Sequence, residues 1–227
     1  MAVATAGVIR HDVPLSLYRD LARQSDFMAV GRHTDSPESD DYAAGVLVAP
    51  GWVLTAAHFV GEASFWTFGE QQFRGIRVIR HPKLEPGATE TQWTGWDMAL
   101  VELDRPVTSI KPAERYRGRA EVGQVVTKVG YGYQGDGENG LRQPPTQLRL
   151  AGQNVIEAAG GELDGREFTT DVLVFDFDGP GPDAPNPLGS PDPLPLEIGG
   201  SKGDSGGGVF LQDGGAWKLA GIVSGAM

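Results

Sequence analysis

The 227-residue chain reads as an all-β protein of antiparallel barrels or sandwiches, and three observations carry that reading. Short runs rich in β-branched and aromatic residues recur between glycine and proline punctuation, the pattern of strands joined by tight turns. Glycine supplies 33 residues, roughly twice its usual share of about 7%, so the chain turns often and long helices are not expected. Strand and helix segments do not alternate, which argues against an open parallel sheet.

Along the chain, Ala4-Thr5-Ala6 before Gly7 resembles the small-residue end of a signal peptide, but residues 1–6 lack a basic region and a long apolar core. A missing upstream leader and an ordinary frayed terminus both fit. Residues 16–23 read as a short helix. Residues 43–61 are uncharged and approach the length of a membrane span. Pro50-Gly51 interrupts them, because proline fixes φ and glycine accepts positive φ. They read as two buried strands, 45–49 and 52–55, followed by a short helix over 56–60, and not as a membrane span. Further strands are expected at 65–68, 73–79 and 98–103. The charged, proline-containing stretch 104–118 is the best internal boundary, giving units 1–112 and 113–227. The second unit carries expected strands at 124–129, 147–150, 171–177, 208–211 and 217–223. Seven of the eighteen residues 178–195 are proline, so this segment forms neither ladder nor helix. It is expected as a surface loop, either an inert insertion or a gate over substrate.

Lysine and arginine total 19 against 30 aspartate and glutamate, a net charge of −11. That balance argues against nucleic-acid binding, which needs clustered cations, and gives no support to docking on an anionic membrane. Cysteine is absent, excluding disulfides, thiol catalysis and Cys-based zinc sites. No cofactor is expected, and no feature points to an oligomeric state.

Three segments together supply the parts of acyl transfer: Leu54-Thr55-Ala56-Ala57-His58, Asp97-Met98-Ala99-Leu100-Val101 and Gly203-Asp204-Ser205-Gly206-Gly207. A serine hydroxyl is a poor nucleophile until a base takes its proton. An imidazole can do so, and a buried carboxylate fixes its tautomer. Glycines around the serine let backbone N–H groups converge on a developing oxyanion, and losing one such donor costs about 2.7–4 kcal/mol. Gly203-x-Ser205-x-Gly207 also matches the nucleophile elbow of α/β-hydrolases, but that fold places its histidine after the serine. None of the 22 residues after Ser205 is histidine. The order His, Asp, Ser is that of chymotrypsin.

On these motifs the chain resembles the chymotrypsin/trypsin-fold serine proteases, in particular the bacterial trypsin-like type. Trp52–His58, Asp97–Leu100 and Gly203–Gly207 correspond to the family's three signatures. Val129-Gly130-Tyr131-Gly132 resembles the opening of its second barrel, and Gly221-Ile222-Val223-Ser224 the strand that pairs with bound peptide. The resemblance implies two packed, six-stranded antiparallel β-barrels. It implies His58 as general base and acid, Asp97 as its orienter and Ser205 as nucleophile. The backbone amides of Gly203 and Ser205 would form the oxyanion hole, and Ser224 would bind substrate along its strand. Asp204 would pair with an α-amino group freed by activating cleavage, with Val8 or Ile9 as the natural new terminus. The implied activity is serine endopeptidase hydrolysis of protein or peptide substrates, in a secreted or periplasmic setting, although no complete signal peptide is seen.

The chain departs from the pattern in three places. Phe59 stands where trypsins have cysteine. Gly199, six residues before the serine, stands at the base of the primary pocket where trypsins hold aspartate. A neutral pocket for apolar or small side chains follows, unless Glu197 or the acidic stretch 176–192 compensates. Two residues follow Gly225, so the second barrel is expected to be incomplete at its C-terminal edge, either a chain cut short or a wall rebuilt elsewhere. A catalytically impaired binding or decoy protein and an esterase on the same fold are the competing readings. Asp176-x-Asp178-Gly179 and Asp136-Gly137-Glu138 faintly resemble calcium loops, but the remaining ligand spacing is missing, and no metal is assigned. His11, His33 and His81 read as surface or structural residues.

Overall fold

The structure is a computed structural model that describes residues 7–39, 42–61, 63–84, 95–163, 165–181, 184 and 188–225, except residues 143–147. The sequence features at Ala4–Ala6, Gln147, Ala226 and Met227, and loop positions 182–183 and 185–187, lie outside the described residues.

Six strands close into an antiparallel barrel: β2 (Val30–Thr34), β3 (Ala43–Ala49), β4 (Trp52–Thr55), β5 (Phe65–Phe68), β6 (Gln71–Arg80) and β7 (Ala99–Leu103), in the order β2-β3-β4-β7-β6-β5. Alternation turns Val46, Val53, Trp66, Phe68, Phe73 and Val101 into one buried core. The barrel is filled to the point of excluding a Cβ in places: at Gly45 one would lie 2.4 Å from the Trp66 ring. The Pro50-Gly51 turn joins β3 to β4 as expected, so the uncharged stretch is a hairpin and not a span. Among the described residues no helix is long and apolar enough to cross a membrane.

Among the described residues the second half holds eight strands. Four form an antiparallel sheet, β11 (Leu150–Val155), β8 (Val125–Gly130), β14 (Gly208–Asp213) and β15 (Ala216–Ile222), in that order, and β12 (Ala158–Leu163) pairs with β13 (Arg166–Val174). This arrangement fits the two-barrel expectation, with closure recorded for the first barrel only among the described residues. A third, small sheet joins β1 (Gly7–Ile9) in parallel to β9 (Gln134–Asp136), which pairs with β10 (Gly140–Arg142).

The expected helix at 16–23 is α1 (Leu15–Ala22), which begins after Pro14 and buries Tyr18 and Ala22, one turn apart. Arg149 caps its far end, donating to the Ala22 carbonyl at 3.1 Å. The expected helix at 56–60 does not form; those residues make a turn. Five residues gain too few internal hydrogen bonds to offset nucleation, and the His58 amide is committed elsewhere, to the Asp97 carboxylate. Phe27, in a 3₁₀ turn (Ser25–Phe27), joins the halves: its ring lies 5.4 Å from Phe210 and 5.1 Å from Trp217.

Candidate active site

Strand register explains why residues 39 apart in sequence meet. Thr55 of β4 pairs with Ala99 of β7 in an antiparallel ladder. His58 follows Thr55 by three residues and Asp97 precedes Ala99 by two, so both leave the barrel at the same end. Ala56 and Ala57 are buried beneath them. Asp97 then accepts two hydrogen bonds from His58, Oδ1 from the backbone amide at 2.8 Å and Oδ2 opposite ring Nδ1 at 2.7 Å. Ser224 Oγ donates to the same Oδ2 at 2.5 Å. Asp97 is 2% exposed. Burial pushes its carboxyl up, but the hydrogen bonds from His58 and Ser224 outweigh burial and hold it below the ordinary aspartate value.

The other ring nitrogen of His58, Nε2, lies 3.0 Å from Ser205 Oγ. The imidazole side chain is 23% exposed, against 2% for the carboxylate it meets, so the ring is open to solvent while Asp97 is not. Phe59 packs on this ring with centroids 5.5 Å apart and on His33 at 5.0 Å. His33 in turn lies 4.8 Å from Trp66. Aromatic packing therefore stands where trypsins have a cysteine, and His33 is a structural residue.

Ser205 sits in a tight turn ahead of β14. Gly203 and Gly206 have φ of 86° and 77°, a left-handed backbone that glycine adopts without steric cost. A Cβ at Gly206 would also lie 2.0 Å from the Ala44 carbonyl oxygen. The Ser205 carbonyl accepts from the Ala44 amide at 2.8 Å, tying the turn to β3 of the barrel that carries His58 and Asp97. Within the turn, the amides of Asp204, Gly206 and Gly207 donate to Ser201, Val223 and Asp204 carbonyls. Among the described residues the Gly203 and Ser205 amides make no such backbone bond.

Asp204 meets a partner the sequence reading did not expect. Lys128, 1% exposed in β8, donates from Nζ to Asp204 Oδ2 at 2.5 Å and to the Gly199 carbonyl at 2.7 Å. Asp204 Oδ1 accepts from the Gly132 amide at 3.0 Å. In the continuous chain this carboxylate is thus paired by a side chain and not by a freed α-amino group. A lone lysine inside Val125-Val126-Thr127-Lys128-Val129 was the available signal, but its partner lies 76 residues away. The N-terminal segment docks close by: the Val8 carbonyl accepts from the Gly199 amide at 2.9 Å.

Gly199 itself faces Phe177, whose Cβ would lie 3.2 Å from a Cβ added there. Glu197 is 1% exposed and accepts from the Leu194 amide, so its carboxylate is sealed away from the surface. Of the two calcium-like motifs, the one at Asp136 is a hairpin turn: Asp136 Oδ1 accepts from the amides of Glu138 and Asn139.

Comparison with known proteins places this geometry among relatives. The trypsin family profile matches residues 20–182, an interval that includes His58 and Asp97 and ends before Ser205. Serine protease 56 of Mus musculus is 41% identical over 81 residues, 30% of this chain and 13% of that protein. Snake venom serine protease KN5 of Trimeresurus stejnegeri is 29% identical over 147 residues, 60% of this chain and 56% of the venom protein. The match thus spans about half the length of the venom relative and a smaller share of the mouse one. Among solved structures, mouse brain neuropsin superposes with a TM-score of 0.58 at 19% identity, covering 95% of this chain and 85% of its own. The secreted serine protease VesC of Vibrio cholerae gives 0.56 at 17%, covering 87% and 40%. At these identities the solved structures establish the fold.

Proposed function

This chain belongs to the trypsin family, and from that membership we propose that it is a serine endopeptidase that hydrolyses protein or peptide substrates through an acyl-enzyme. The observation that carries the reading is the continuous line of hydrogen bonds from Asp97 through His58 to Ser205, at 2.7 and 3.0 Å. Ser205 Oγ attacks the scissile carbonyl carbon as its proton passes to His58 Nε2. Asp97 holds Nδ1 protonated and stabilises the imidazolium. The tetrahedral oxyanion is received by the Gly203 and Ser205 amides, donors not taken up by backbone carbonyls among the described residues. Collapse expels the amine, which takes its proton from His58. Water then repeats the sequence on the acyl-Ser205 ester.

Ser224 has two roles in this scheme, its hydroxyl steadying Asp97 and the segment just after β15 that carries it offering backbone groups to an extended substrate. Gly199 leaves the primary pocket without a charge, and the buried Glu197 does not supply one, so apolar or small side chains are the expected substrates at that position. Lys128 supplies the cation that holds Asp204 behind the nucleophile turn, so activity does not await cleavage near Val8. A secreted or periplasmic location accords with such a protease.

Incubation with a fluorophosphonate and mass spectrometry tests the reading. Labelling confined to Ser205, on protein retaining residues 1–8, is expected, as is peptide-library cleavage that Ser205→Ala abolishes. Cleavage that survives Ser205→Ala overturns the mechanism. Ester hydrolysis without amide hydrolysis would assign an esterase, and failure of a folded chain to label would assign a binding protein on the same fold.

A further inference from the structure

A group of carboxylates that the hydrolytic scheme leaves unused lies beneath the segment facing Gly199. Glu157 comes from the turn between β11 and β12, and Asp176 and Asp178 from the chain just after β13. One ligand oxygen from each lies within 4.8 Å of the others. Asp178 is 8% exposed, yet among the described residues no hydrogen bond reaches its Oδ1. The same is true of Asp176 Oδ1 and of Oε1 on the buried Glu197. Among the described residues the donors that reach the group are backbone amides, from Leu188 to Asp176 Oδ2 at 2.9 Å and from Asp176 to Glu157 Oε2 at 3.4 Å.

Buried carboxylates without partners are costly, and the cost is relieved by protonation or by a bound cation.

We propose that Glu157, Asp176 and Asp178 bind a calcium-class divalent cation. The donor set is all oxygen, holding neither the imidazole nor the thiolate that zinc favours. Calcium takes six to eight oxygens at about 2.3–2.6 Å, so ligands on opposite sides stand roughly 4.6–5.2 Å apart. Three oxygens within 4.8 Å of one another fit around one such ion, with carbonyls or water completing the shell. Asp176-x-Asp178 alone looked like a fragment of a calcium loop. The missing ligand comes from Glu157, brought in by the β12–β13 hairpin, whose Ala158 pairs with Val174.

The site ties together three parts of the molecule. Phe177, between two ligands, packs against Gly199. Asn154 Nδ2 donates to the Asp176 carbonyl at 2.6 Å and to the Ile198 carbonyl at 3.1 Å. Leu188 and Gly189, in the proline-rich loop, lie against Asp176 and Glu157. Cation binding therefore fixes the loop and the wall beside Gly199 at one point. Only the consequence for the substrate pocket rests on the protease reading; the binding itself does not.

The chelator-treated 227-residue chain is titrated with CaCl2 by calorimetry, with thermal unfolding in parallel and MgCl2 as the control salt. One saturable site half-filled on the order of 0.1–1 mM is expected, the range of extracellular calcium modules. Tm should rise by about 3–6 °C at ten times that concentration, and MgCl2 should give a smaller rise. Asp178→Asn and Glu157→Gln, with folding checked by circular dichroism, should each weaken binding at least about tenfold. If Asp178→Asn does not fold, the partly exposed Glu157→Gln decides. Absence of saturable calcium binding in the unsubstituted chain, or unchanged binding in folded Glu157→Gln, overturns the proposal. Neither readout depends on hydrolytic activity.

Discussion

Ser224 Oγ, Asp97 and the two donors of His58 make one small network, and its titration follows from its geometry. Asp97 sits below the ordinary aspartate value of about 3.9. Its contribution to stability is therefore present above that value and lost as pH falls through the lowered one. Ser224→Ala removes one charge-assisted hydrogen bond, which costs about 1.5–3 kcal/mol, and acid unfolding followed by circular dichroism should begin at higher pH. Lys128 is bound by a stronger version of the same logic. Lys128→Met leaves Asp204 charged and unpaired in the interior, a loss of about 3–5 kcal/mol. Adding Asp204→Asn should recover part of that loss in urea denaturation. A double variant no more stable than the single one would show that the ion pair is not what holds the turn. Neither partnership was legible in the sequence, because a buried lysine does not advertise an aspartate 76 residues on. The His58, Asp97 and Ser205 motifs were legible because glycine and alanine spacing around each is demanded locally.

At the scale of elements, strands rich in their own β-branched and aromatic residues were readable, as β4 and β5 show, with the expected bounds matching the observed ones. Strands formed only because a neighbour recruits them were not. β12 is Ala-Ala-Gly-Gly-Glu-Leu, a sequence with almost no strand preference, held by pairing with β13 through a bulge between Ala159 and Gly161. β11 shares only Leu150 with the expected strand 147–150 and runs on through Gly152-Gln153-Asn154, because β8 pairs with it from Leu150 to Val155. The turn carrying Ser205 is sensitive to substitution at its glycines. Gly206→Ala meets both a left-handed φ, worth about 1–3 kcal/mol of strain, and the Ala44 carbonyl. Fluorophosphonate labelling of a folded Gly206→Ala protein is expected to slow by about 100-fold, the effect of displacing a reacting atom by roughly an ångström. Labelling at the original rate would show that the turn tolerates the shift.

For the molecule as a whole, one buried cluster runs from the barrel into the second half: Val46, Val53, Trp66 and Phe73 share it with Val129, Ala151, Phe210 and Leu219. A core continuous across both halves predicts one cooperative calorimetric transition. Two resolved transitions would show that the halves melt independently. Phe27→Ala, at the seam, should cost about 3–5 kcal/mol and lower Tm without altering the first barrel's strand pairing, which amide exchange would report. The same long reach has a consequence for the life of the chain. His58 and Ser205 are separated by 147 residues, and at ribosomal speeds of about 5–20 residues per second the nucleophile is made roughly 7–30 s after its base. Under the proposed mechanism, a nascent chain carries its base and orienter before its nucleophile, and acyl transfer cannot begin until residue 205 has been added.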